Sequence, residues 1–437
     1  MSFRPLAPRL RQIPPRKSAL LSILDIGASK IVCLIARLAP LPASDGNGRT
    51  HKAIVLGIGH QRSRGVKAGA IVNLDAAESA IRHAIDAAER MAGVEVDNII
   101  VNVSGGRLST QIFNAKIAIH GKAVRESDVH RVLETAALAS AKTGRSVLHA
   151  LPVGYWLDGT SGVRDPLGMV GHELGAQLHV ASCDAAAAHN LMLAVERCHL
   201  RVAAVVASPY AAGLASLTDD EAELGAALVD FGAGSTTVGV FAGGRLAYVD
   251  AVAVGGNHIT MDIARGLSVT LADAERLKTL YGACLASPTD DRDTISIARV
   301  GDESSPATHL PKSELVRIIR PRTEEILELV RDRLRGAGQS AHVGRRLVLT
   351  GGACQLSGLA ELARLIVSDQ TRIGRPQGVE GLPESAQSPA YATTVGLLAY
   401  PQVAGLEHFE PRRAPYARSA NEDGYVARVG RWLKESF

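Results

Sequence analysis

One pattern occurs twice in the 437-residue sequence and limits the fold more than any other feature. The segment 23–36, ILDIGASKIVCLIA, resembles the segment 228–242, LVDFGAGSTTVGVFA, roughly 200 residues further on. In both, an apolar strand ends in Asp-x-Gly, small residues follow, and a second apolar strand begins, which is the spacing of a β-hairpin with a tight turn. A single copy would suit an ordinary glycine turn, but a copy in each half of the chain indicates a shared function.

That function is predicted to be phosphate binding. Glycines let the backbone approach a ligand closely, and consecutive N–H groups at a turn form an anion-binding nest. An aspartate at the end of the first strand, Asp25, can order the water shell of a Mg²⁺ ion that offsets phosphate charge. The predicted phosphate-binding residues are Gly27, Ala28, Ser29 and Lys30 in the first hairpin and Gly232, Ala233, Gly234, Ser235 and Thr236 in the second.

A third glycine element follows in the segment 345–363, RRLVLTGGACQLSGLAELA. A buried strand delivers Gly351, Gly352 and Ala353 to a helix that starts near Ser357, an arrangement suited to packing a base and ribose against backbone. The order of two phosphate hairpins and a nucleoside loop resembles the actin/Hsp70/hexokinase superfamily, in which two pseudo-symmetric α/β domains close on ATP and Mg²⁺. A sugar kinase is a weaker alternative, because no obvious sugar-binding block lies between the phosphate loops.

Composition excludes other classes. Lys and Arg (48) nearly match Asp and Glu (44), so the net charge of +4 argues against a nucleic-acid-binding protein. The five cysteines are scattered and show neither metal spacing nor a disulfide framework, which fits a reducing compartment. The apolar segments 19–38 and 225–244 are interrupted by charges or glycines and are interpreted as buried strands. We therefore expect no transmembrane segment and no export.

The remaining pattern alternates strands with amphipathic helices from residue 18 to 400, which predicts α/β architecture. Helices are predicted at 75–92, 126–141, 185–198, 256–266, 270–281 and 312–335. Residues 1–17 carry five basic residues and four prolines without an acid, so this tail is predicted to be disordered. Residues 402–423 are polar and rich in Pro and Arg, like a flexible linker.

Several segments along the chain are similar to FtsA, the actin-like protein family of bacterial cell division. The N-terminal block at 56–89 carries an SRG-x-x-x-G signature at Ser63, Arg64, Gly65 and Gly69. The other matching segments are VNVSGG (101–106), HALPVGYWLDG (149–159), VERCHLRV (195–202), VGGNHITMDIA (254–264), LADAERLKTLYG (271–282), TTVGLLAY (393–400) and GRWLKESF (430–437). Agreement over most of the chain is more specific than any one motif.

The resemblance implies an actin/Hsp70-like (ribonuclease H-like) two-domain fold with an inserted α+β subdomain 1C and a C-terminal amphipathic helix. The implied divisions are a disordered tail (1–17), subdomain 1A (18–96 and 180–208), subdomain 1C (97–179), subdomain 2A (209–254 and, with the closing helix, 317–401), subdomain 2B (255–316), a linker (402–424) and a membrane-targeting helix (425–437). In the family, subdomain 1C contacts the next subunit of a filament. A plain domain insertion is the alternative.

The resemblance also extends the nucleotide site. It adds Gly255, Gly256 and Asn257, and it places the helix carrying Glu275 and Lys278 over the ribose and base, although a solvated ion pair would give the same spacing. In hydrolysing relatives, the second hairpin aspartate, here Asp230, and a glutamate position the attacking water. Ser208 stands at the glutamate position. We therefore expect ATP binding with at most slow hydrolysis.

The last helix is predicted to bind the membrane. Its apolar residues recur near helical spacing, with basic residues on the flanks and opposite face, as in interfacial helices. The apolar set is Val426, Val429, Trp432, Leu433 and Phe437, and the basic set is Arg428, Arg431 and Lys434. A terminal helix that docks on its own protein is the alternative.

The implied role is to polymerise on the cytoplasmic face of the bacterial inner membrane at the division septum. The implied partners are the C-terminal peptide of FtsZ, further copies of the chain, anionic lipids and later division proteins such as FtsN through subdomain 1C, with no nucleic acid. Lys312 and Arg317, near one helix start, are predicted to bind the FtsZ peptide, with a solvated helix face paired to Glu314 as the alternative. A PilM-like protein of a pilus or envelope assembly machine is the alternative function.

Overall fold

The computed structural model describes residues 6, 10, 13–14, 16–41, 49–105, 107–140, 145–300, 308–336 and 346–408. The strands are β1 (Ala19–Ile26), β2 (Lys30–Pro40), β3 (His51–Arg62), β4 (Val66–Lys67), β5 (Ala70–Ile71), β6 (Asn98–Val103), β7 (Ser109–Ala123), β8 (Ser146–Leu157), β9 (Thr160–Val163), β10 (Val170–Cys183), β11 (Arg201–Ala207), β12 (Ala226–Phe231), β13 (Thr236–Ala242), β14 (Arg245–Val252), β15 (Thr294–Ile297), β16 (Thr308–Pro311), β17 (Arg346–Thr350), β18 (Gln370–Ile373) and β19 (Val379–Glu380). The helices are α1 (Leu74–Ala92), α2 (Glu126–Ser140), α3 (Ala185–Glu196), α4 (Ser208–Ser216), α5 (Asp219–Leu224), α6 (Gly256–Leu267), α7 (Leu271–Tyr281), α8 (Lys312–Gly336), α9 (Leu359–Ile366) and α10 (Ala392–Val403).

Two main sheets repeat one topology. The first has the order β11-β6-β1-β2-β3-β19 and the second has the order β14-β13-β12-β17-β18. In the first, β1, β2 and β3 are antiparallel neighbours, and β6 and β11 join in parallel. In the second, β12, β13 and β14 are antiparallel, and β17 and β18 join in parallel. This repetition of a five-strand unit confirms the predicted two-domain α/β fold.

Helices pack closely against the sheets and against each other because glycines at the contacts have no side chain. Helix α1 lies so near β3 that a Cβ at Gly59 would come 1.7 Å from the carbonyl oxygen of Ala84. Helices α4 and α10 pack against each other, and a Cβ at Gly396 would come 1.7 Å from the carbonyl oxygen of Ala211. Each of these two helices also contacts the first main sheet, and α4 contacts the second as well. Helices α4 and α10 are therefore the central elements of the molecule.

A small lobe projects from the first half. Its sheet has the order β7-β10-β8-β9, and α2 covers one face over a separate hydrophobic cluster. The lobe also contacts the second half, since Thr110 Oγ1 donates to Val249 O at 3.0 Å and the Arg245 guanidinium donates to Pro152 O at 2.6 Å. Strand β6 belongs to the first main sheet, although the implied division at residue 97 assigns it to this lobe.

Both ends of the described chain pack on the body. Leu6, Leu10 and Ile13, which fall in the predicted tail, lie against the core of the first half. At the other end, α10 continues past the predicted linker start at residue 402, and Glu407 is buried. The predicted linker beyond residue 408 and the predicted membrane helix lie outside the described residues.

The predicted helices form with ends shifted by two residues or fewer. The segment 225–244 forms β12 and β13 around a turn, as its glycines predict. Within the described residues, no helix combines the length and the hydropathy needed to cross a membrane.

Candidate functional site

A cleft of about 580 Å³ lies between the two halves. Both hairpin turns, the start of α6, α7, the loop after β17 and the start of α10 line it. The predicted residues that it brings together are Asp25, Gly27, Ala28, Ser29, Lys30, Asp230, Gly232, Ala233, Gly234, Ser235, Gly256, Asn257, Glu275, Lys278, Gly351, Gly352 and Ala353. Its volume falls within the range of small-molecule sites.

Two predicted residues support the cleft from behind instead. The Thr236 hydroxyl is buried and donates to Val254 O at 2.8 Å. Gly255 lies behind the second hairpin turn, where a Cβ would come 2.6 Å from Gly232 O. The next two N–H groups, of Gly256 and Asn257, donate to the carbonyls of that turn at 3.0 and 2.8 Å. The start of α6 therefore fixes the shape of the turn.

The two hairpin turns close in the same way and meet each other. Gly27 N–H donates to Lys30 O at 3.0 Å, and Gly232 N–H donates to Ser235 O at 3.1 Å. A Cβ at Gly234 would come 2.7 Å from Ala28 Cβ, across the boundary between the halves. Gly234 adds no side chain at this point and Ala28 adds only a methyl group, so the backbone of both turns can approach a ligand closely.

Asp25 is held by a network that reaches three other elements. Asn102, at the end of β6, donates to Asp25 Oδ1 at 2.8 Å and accepts from Ile26 N–H at 2.7 Å. Thr394 Oγ1, on α10, donates to Asp25 Oδ2 at 2.6 Å. Burial raises the pKa of Asp25, and the hydrogen bond from Thr394, the Lys30 charge and the bond from Asn102 oppose that shift. The carboxylate is thus oriented by neutral donors.

Asp230 occupies the equivalent place in the second half. Thr393 Oγ1 donates to its Oδ2 at 3.0 Å. Burial, together with the charge of Asp25, raises the pKa of Asp230 to about 6, against the hydrogen bond from Thr393 and the charge of Lys30. Lys30 Nζ lies 3.3 Å from the ring centroid of Tyr391, and burial lowers the pKa of this ammonium to about 8.

The chemistry of this donor set fits magnesium. Mg²⁺ keeps several waters and is usually held by one or two carboxylates together with substrate phosphates. Asp25 and Asp230 supply two such carboxylates beside a glycine-lined space. At Gly351, a Cβ would come 2.4 Å from Asp230 Oδ1, so this wall of the cleft also requires glycine.

Ser208 begins α4 and lines the cleft. Its buried hydroxyl accepts from Asn102 Nδ2 at 3.0 Å. A serine hydroxyl is short and is not a base at neutral pH, so it does not replace a carboxylate as a proton acceptor. Ser208 is linked to Asp25 by two hydrogen bonds, both donated by Asn102.

Lys278 and Glu275 lie differently in the cleft. Lys278 Nζ donates to Glu275 Oε2 at 2.7 Å, to Thr260 Oγ1 at 2.8 Å and to Gly256 O at 3.2 Å. The lysine side chain is 13% exposed and the glutamate side chain is 51% exposed. Lys278 therefore holds α7 onto the start of α6, while Glu275 Oε2 accepts from Lys278 and Thr260 and about half of the glutamate side chain stays exposed.

The remaining predicted residues lie elsewhere. Lys312 forms an ion pair with the buried Asp290 at 3.0 Å, and Arg317, 74% exposed, pairs with Glu314 at 2.8 Å. Neither basic residue is among those that line the cleft. The predicted membrane-binding residues, from Val426 to Phe437, are outside the described residues.

Sequence patterns missed part of the cleft. Asn102, Thr393, Gln355 and Leu356 line it, although none of them was predicted as a site residue. The segments VNVSGG and TTVGLLAY contain Asn102 and Thr393, so the resemblance included both residues without indicating a role.

Comparison with known proteins shows the family of this chain. The sequence model described as cell division protein FtsA matches residues 227–396, and the model of the SHS2 domain inserted in FtsA matches residues 105–182. The cell division protein FtsA of Agrobacterium fabrum is 51% identical over 432 residues, which cover 98% of each chain. The chain belongs to the FtsA family. FtsA of Escherichia coli K12 is 32% identical over 423 residues, covering 95% of this chain and 97% of that protein.

Solved structures show the fold of this FtsA-family chain independently. The PilM–PilN type IV pilus biogenesis complex is similar with a TM-score of 0.62 and 17% identity, over 87% of this chain and 98% of that one. MreB5 of Spiroplasma citri bound to ADP is similar with a TM-score of 0.52 and 13% identity, over 89% and 97% of the two chains. The SHS2 match covers the small lobe from β7 almost to the end of β10.

Proposed function

We propose that the cleft binds ATP with Mg²⁺ and that this FtsA-family protein uses nucleotide binding to control filament formation at the membrane. The observation that carries the nucleotide assignment is the meeting of two equivalent Asp-x-Gly hairpins at Gly234 and Ala28. Two facing turns with only a methyl group between them suit a chain of phosphates, and the two aspartates beside them suit a hydrated cation. The solved MreB5 structure bound to ADP has a similar fold, which supports the same ligand class.

Each wall of the cleft has its own part in this proposal. The hairpin N–H groups, Ser29, Ser235 and Lys30 bind phosphate oxygens, and Asp25 holds magnesium through water. Magnesium, when bound, neutralises phosphate charge. The backbone at Gly351, Gly352 and Ala353 packs against base and ribose, and the partly exposed side chain of Glu275 accepts from ribose hydroxyls.

Hydrolysis in this proposal is slow. Asp230 orients water, but its carboxylate is also engaged by Thr393. Ser208 supplies only a hydroxyl where the family resemblance implies a glutamate in hydrolysing relatives. Without a second carboxylate to position the water for in-line attack, the nucleotide acts mainly as a switch.

Family membership supports the proposed cellular role. Relatives up to 51% identical over nearly the whole chain are cell division proteins. We infer that subdomains 1A, 1C, 2A and 2B assemble into filaments on the cytoplasmic face of the inner membrane at the septum. In this role the filament anchors FtsZ through its C-terminal peptide, and subdomain 1C contacts later division proteins such as FtsN. The PilM alternative rests only on a shared fold at 17% identity.

Two surfaces complete the proposal. Residues 425–437 bind anionic lipids as an amphipathic helix, and a filament carrying many such helices binds more tightly than a monomer. The exposed guanidinium of Arg317 and the nearby Lys312 bind the acidic part of the FtsZ peptide.

Vesicle flotation tests this function. The full chain, FtsZ from the same organism and anionic vesicles are mixed with ATP and Mg²⁺, with ADP, or without nucleotide. We expect FtsZ to float only when the full chain is present, and most strongly with ATP. Equal flotation of FtsZ without the full chain, or no binding of a fluorescent ATP analogue in the cleft, would contradict the proposal.

A further inference from the structure

Two consecutive residues of α10 each hold one of the two cleft aspartates. Thr393 Oγ1 donates to Asp230 Oδ2 at 3.0 Å, and Thr394 Oγ1 donates to Asp25 Oδ2 at 2.6 Å. The aspartates come from different halves of the molecule, 205 residues apart in the sequence (230 − 25). Thr394 is fully buried and Thr393 is nearly so, which leaves little freedom for either hydroxyl.

The geometry depends on where α10 begins. Side chains of consecutive helix residues point about 100° apart. Two adjacent threonines can therefore reach aspartates of different domains only if the helix begins between those domains. Helix α10 starts at Ala392, directly after the loop that lines the cleft.

Several threonines in the other described helices bond within their own helix, and Thr260 of α6 additionally donates to Glu275 Oε2 of α7. In α8, the Thr323 hydroxyl donates to Ile319 O of its own helix at 2.9 Å. In α7, the Thr279 hydroxyl likewise donates to Glu275 O at 2.8 Å. The usual local bond of a helical threonine is thus replaced in α10 by two long-range bonds to charged groups, which are stronger than neutral ones.

Helix α4 has no such double contact. It is the partner that α10 crosses, and its first residue, Ser208, reaches Asp25 only through Asn102. Asn102 donates to Asp25 Oδ1 and Thr394 donates to Asp25 Oδ2, so the orientation of the carboxylate is fixed while each oxygen keeps one acceptor position. Asp230 is oriented in the same way by Thr393.

We propose that Thr393 and Thr394 are positioning residues that aim the two aspartates of opposite halves at one hydrated divalent cation, so that cation-dependent nucleotide binding draws both halves onto α10. The inference rests on the proposed nucleotide function. In this inference, α10 fixes the orientation of both carboxylates at the same time. The carboxylates of Asp25 and Asp230 would then be oriented before a cation binds, and a bound cation would supply charge neutralisation beside them.

The test measures nucleotide affinity of the full chain by titration calorimetry across a Mg²⁺ series and in EDTA. Thr394→Val removes the hydroxyl and keeps the shape, while Thr394→Ser keeps the hydroxyl. We expect Thr394→Val to raise the Mg²⁺ concentration for half-maximal effect by about tenfold or more, from the loss of a bond to a charged group. Affinity in EDTA should change less than about twofold, and Thr394→Ser should resemble the wild type. Thr393→Val should act in the same direction through Asp230.

Thr323→Val is the matched control, because it removes an equally buried helical hydroxyl that donates to its own helix, accepts from the Cys284 thiol and contacts no carboxylate of the cleft. It should leave the Mg²⁺ dependence unchanged. Suppose that the wild type binds nucleotide normally and that both Thr394→Val and Thr393→Val keep its Mg²⁺ dependence. This result would overturn the inference and leave the proposed function intact. Equal losses with and without Mg²⁺ would also overturn the inference. A wild type that binds no nucleotide would overturn the proposed function together with it.

Discussion

His149 and Glu407 form a buried pair that ties the end of the described chain to the small lobe. His149 Nδ1 lies 3.0 Å from Glu407 Oε1, and both side chains are 0% exposed. His149 Nε2 accepts the N–H of Ala207 at 2.9 Å, so the ring proton is assigned to Nδ1, which donates to the carboxylate. The pair links β8, the strand leading to Ser208, and the segment after α10.

Breaking this pair from the histidine side should destabilise the protein strongly. His149→Ala leaves the Glu407 carboxylate buried without its donor, and we expect a loss of about 3–5 kcal/mol in the free energy of unfolding. Glu407→Gln keeps the shape without the charge and should cost much less. Urea unfolding of the two variants measures the difference. Equal stability of His149→Ala and wild type would show that the pair contributes nothing.

Gly234→Val should abolish nucleotide binding. Even a Cβ at this position would come 2.7 Å from Ala28 Cβ and 2.9 Å from Ala68 N, so valine forces the halves apart where phosphate is proposed to bind. Gly154→Val is the control, because a Cβ there meets nothing within 4 Å. Titration with a fluorescent ATP analogue checks both variants. Wild-type affinity in Gly234→Val would remove the phosphate assignment.

Asp230 should make stability fall as pH rises from about 4 to 6. Its pKa is about 6 in the folded protein and near 3.8 in the unfolded chain, so the folded state holds this proton more tightly. The stabilisation is fully present below the unfolded pKa and is lost as pH rises through the folded pKa. Relative to Asp230→Asn, the free energy of unfolding of the wild type should therefore fall over this window by at most about 1.4 kcal/mol per pH unit. Above pH 7, the curves of the two proteins should be parallel. Urea unfolding at several pH values gives both curves, and parallel curves throughout would contradict the assignment.

Arg317→Glu should weaken binding of an FtsZ C-terminal peptide without unfolding the protein. Arg317 is exposed and pairs only with Glu314 on its own helix, whereas reversing Lys312 would place a carboxylate beside the buried Asp290. Arg131→Glu, which reverses another exposed residue in an i,i+3 pair on α2, is the matched control. We expect a loss of several-fold to tenfold in fluorescence anisotropy titrations at low salt, since each exposed charge contributes about 1 kcal/mol or less. Unchanged affinity would show that Arg317 is not part of the peptide-binding site.

Residues 425–437 should carry the membrane affinity. Trp432→Glu removes an aromatic side chain whose burial contributes roughly 1.5–3 kcal/mol, and truncation removes the whole helix. Sedimentation with anionic vesicles should fall in Trp432→Glu and disappear in the truncated protein, while nucleotide binding stays intact. Equal sedimentation of all three proteins would exclude the anchor, and loss of nucleotide binding on truncation would favour a helix docked on the body.

Local patterns in the sequence determined much of the fold. The alternation of apolar strands with Asp-x-Gly turns predicted both hairpins, and helical periodicity predicted helices such as α1 and α8 to within two residues at each end. These elements could be predicted because hydrogen bonding and apolar spacing within a short segment determine them. The glycines of the turns also marked the cleft, since only glycine allows the close approach seen at Gly234.

Tertiary structure alone decided how these segments meet. Asn102 and Thr394 reach Asp25 across 77 and 369 residues of sequence, and no local pattern records such a contact. Strand β6 joins the main sheet because it pairs with β1 and β11, although the chain continues from it into the small lobe. The sequence by itself therefore determined the elements and their glycine turns, while the orientation of the two aspartates depended on long-range packing, because their hydrogen-bond donors come from β6 and α10.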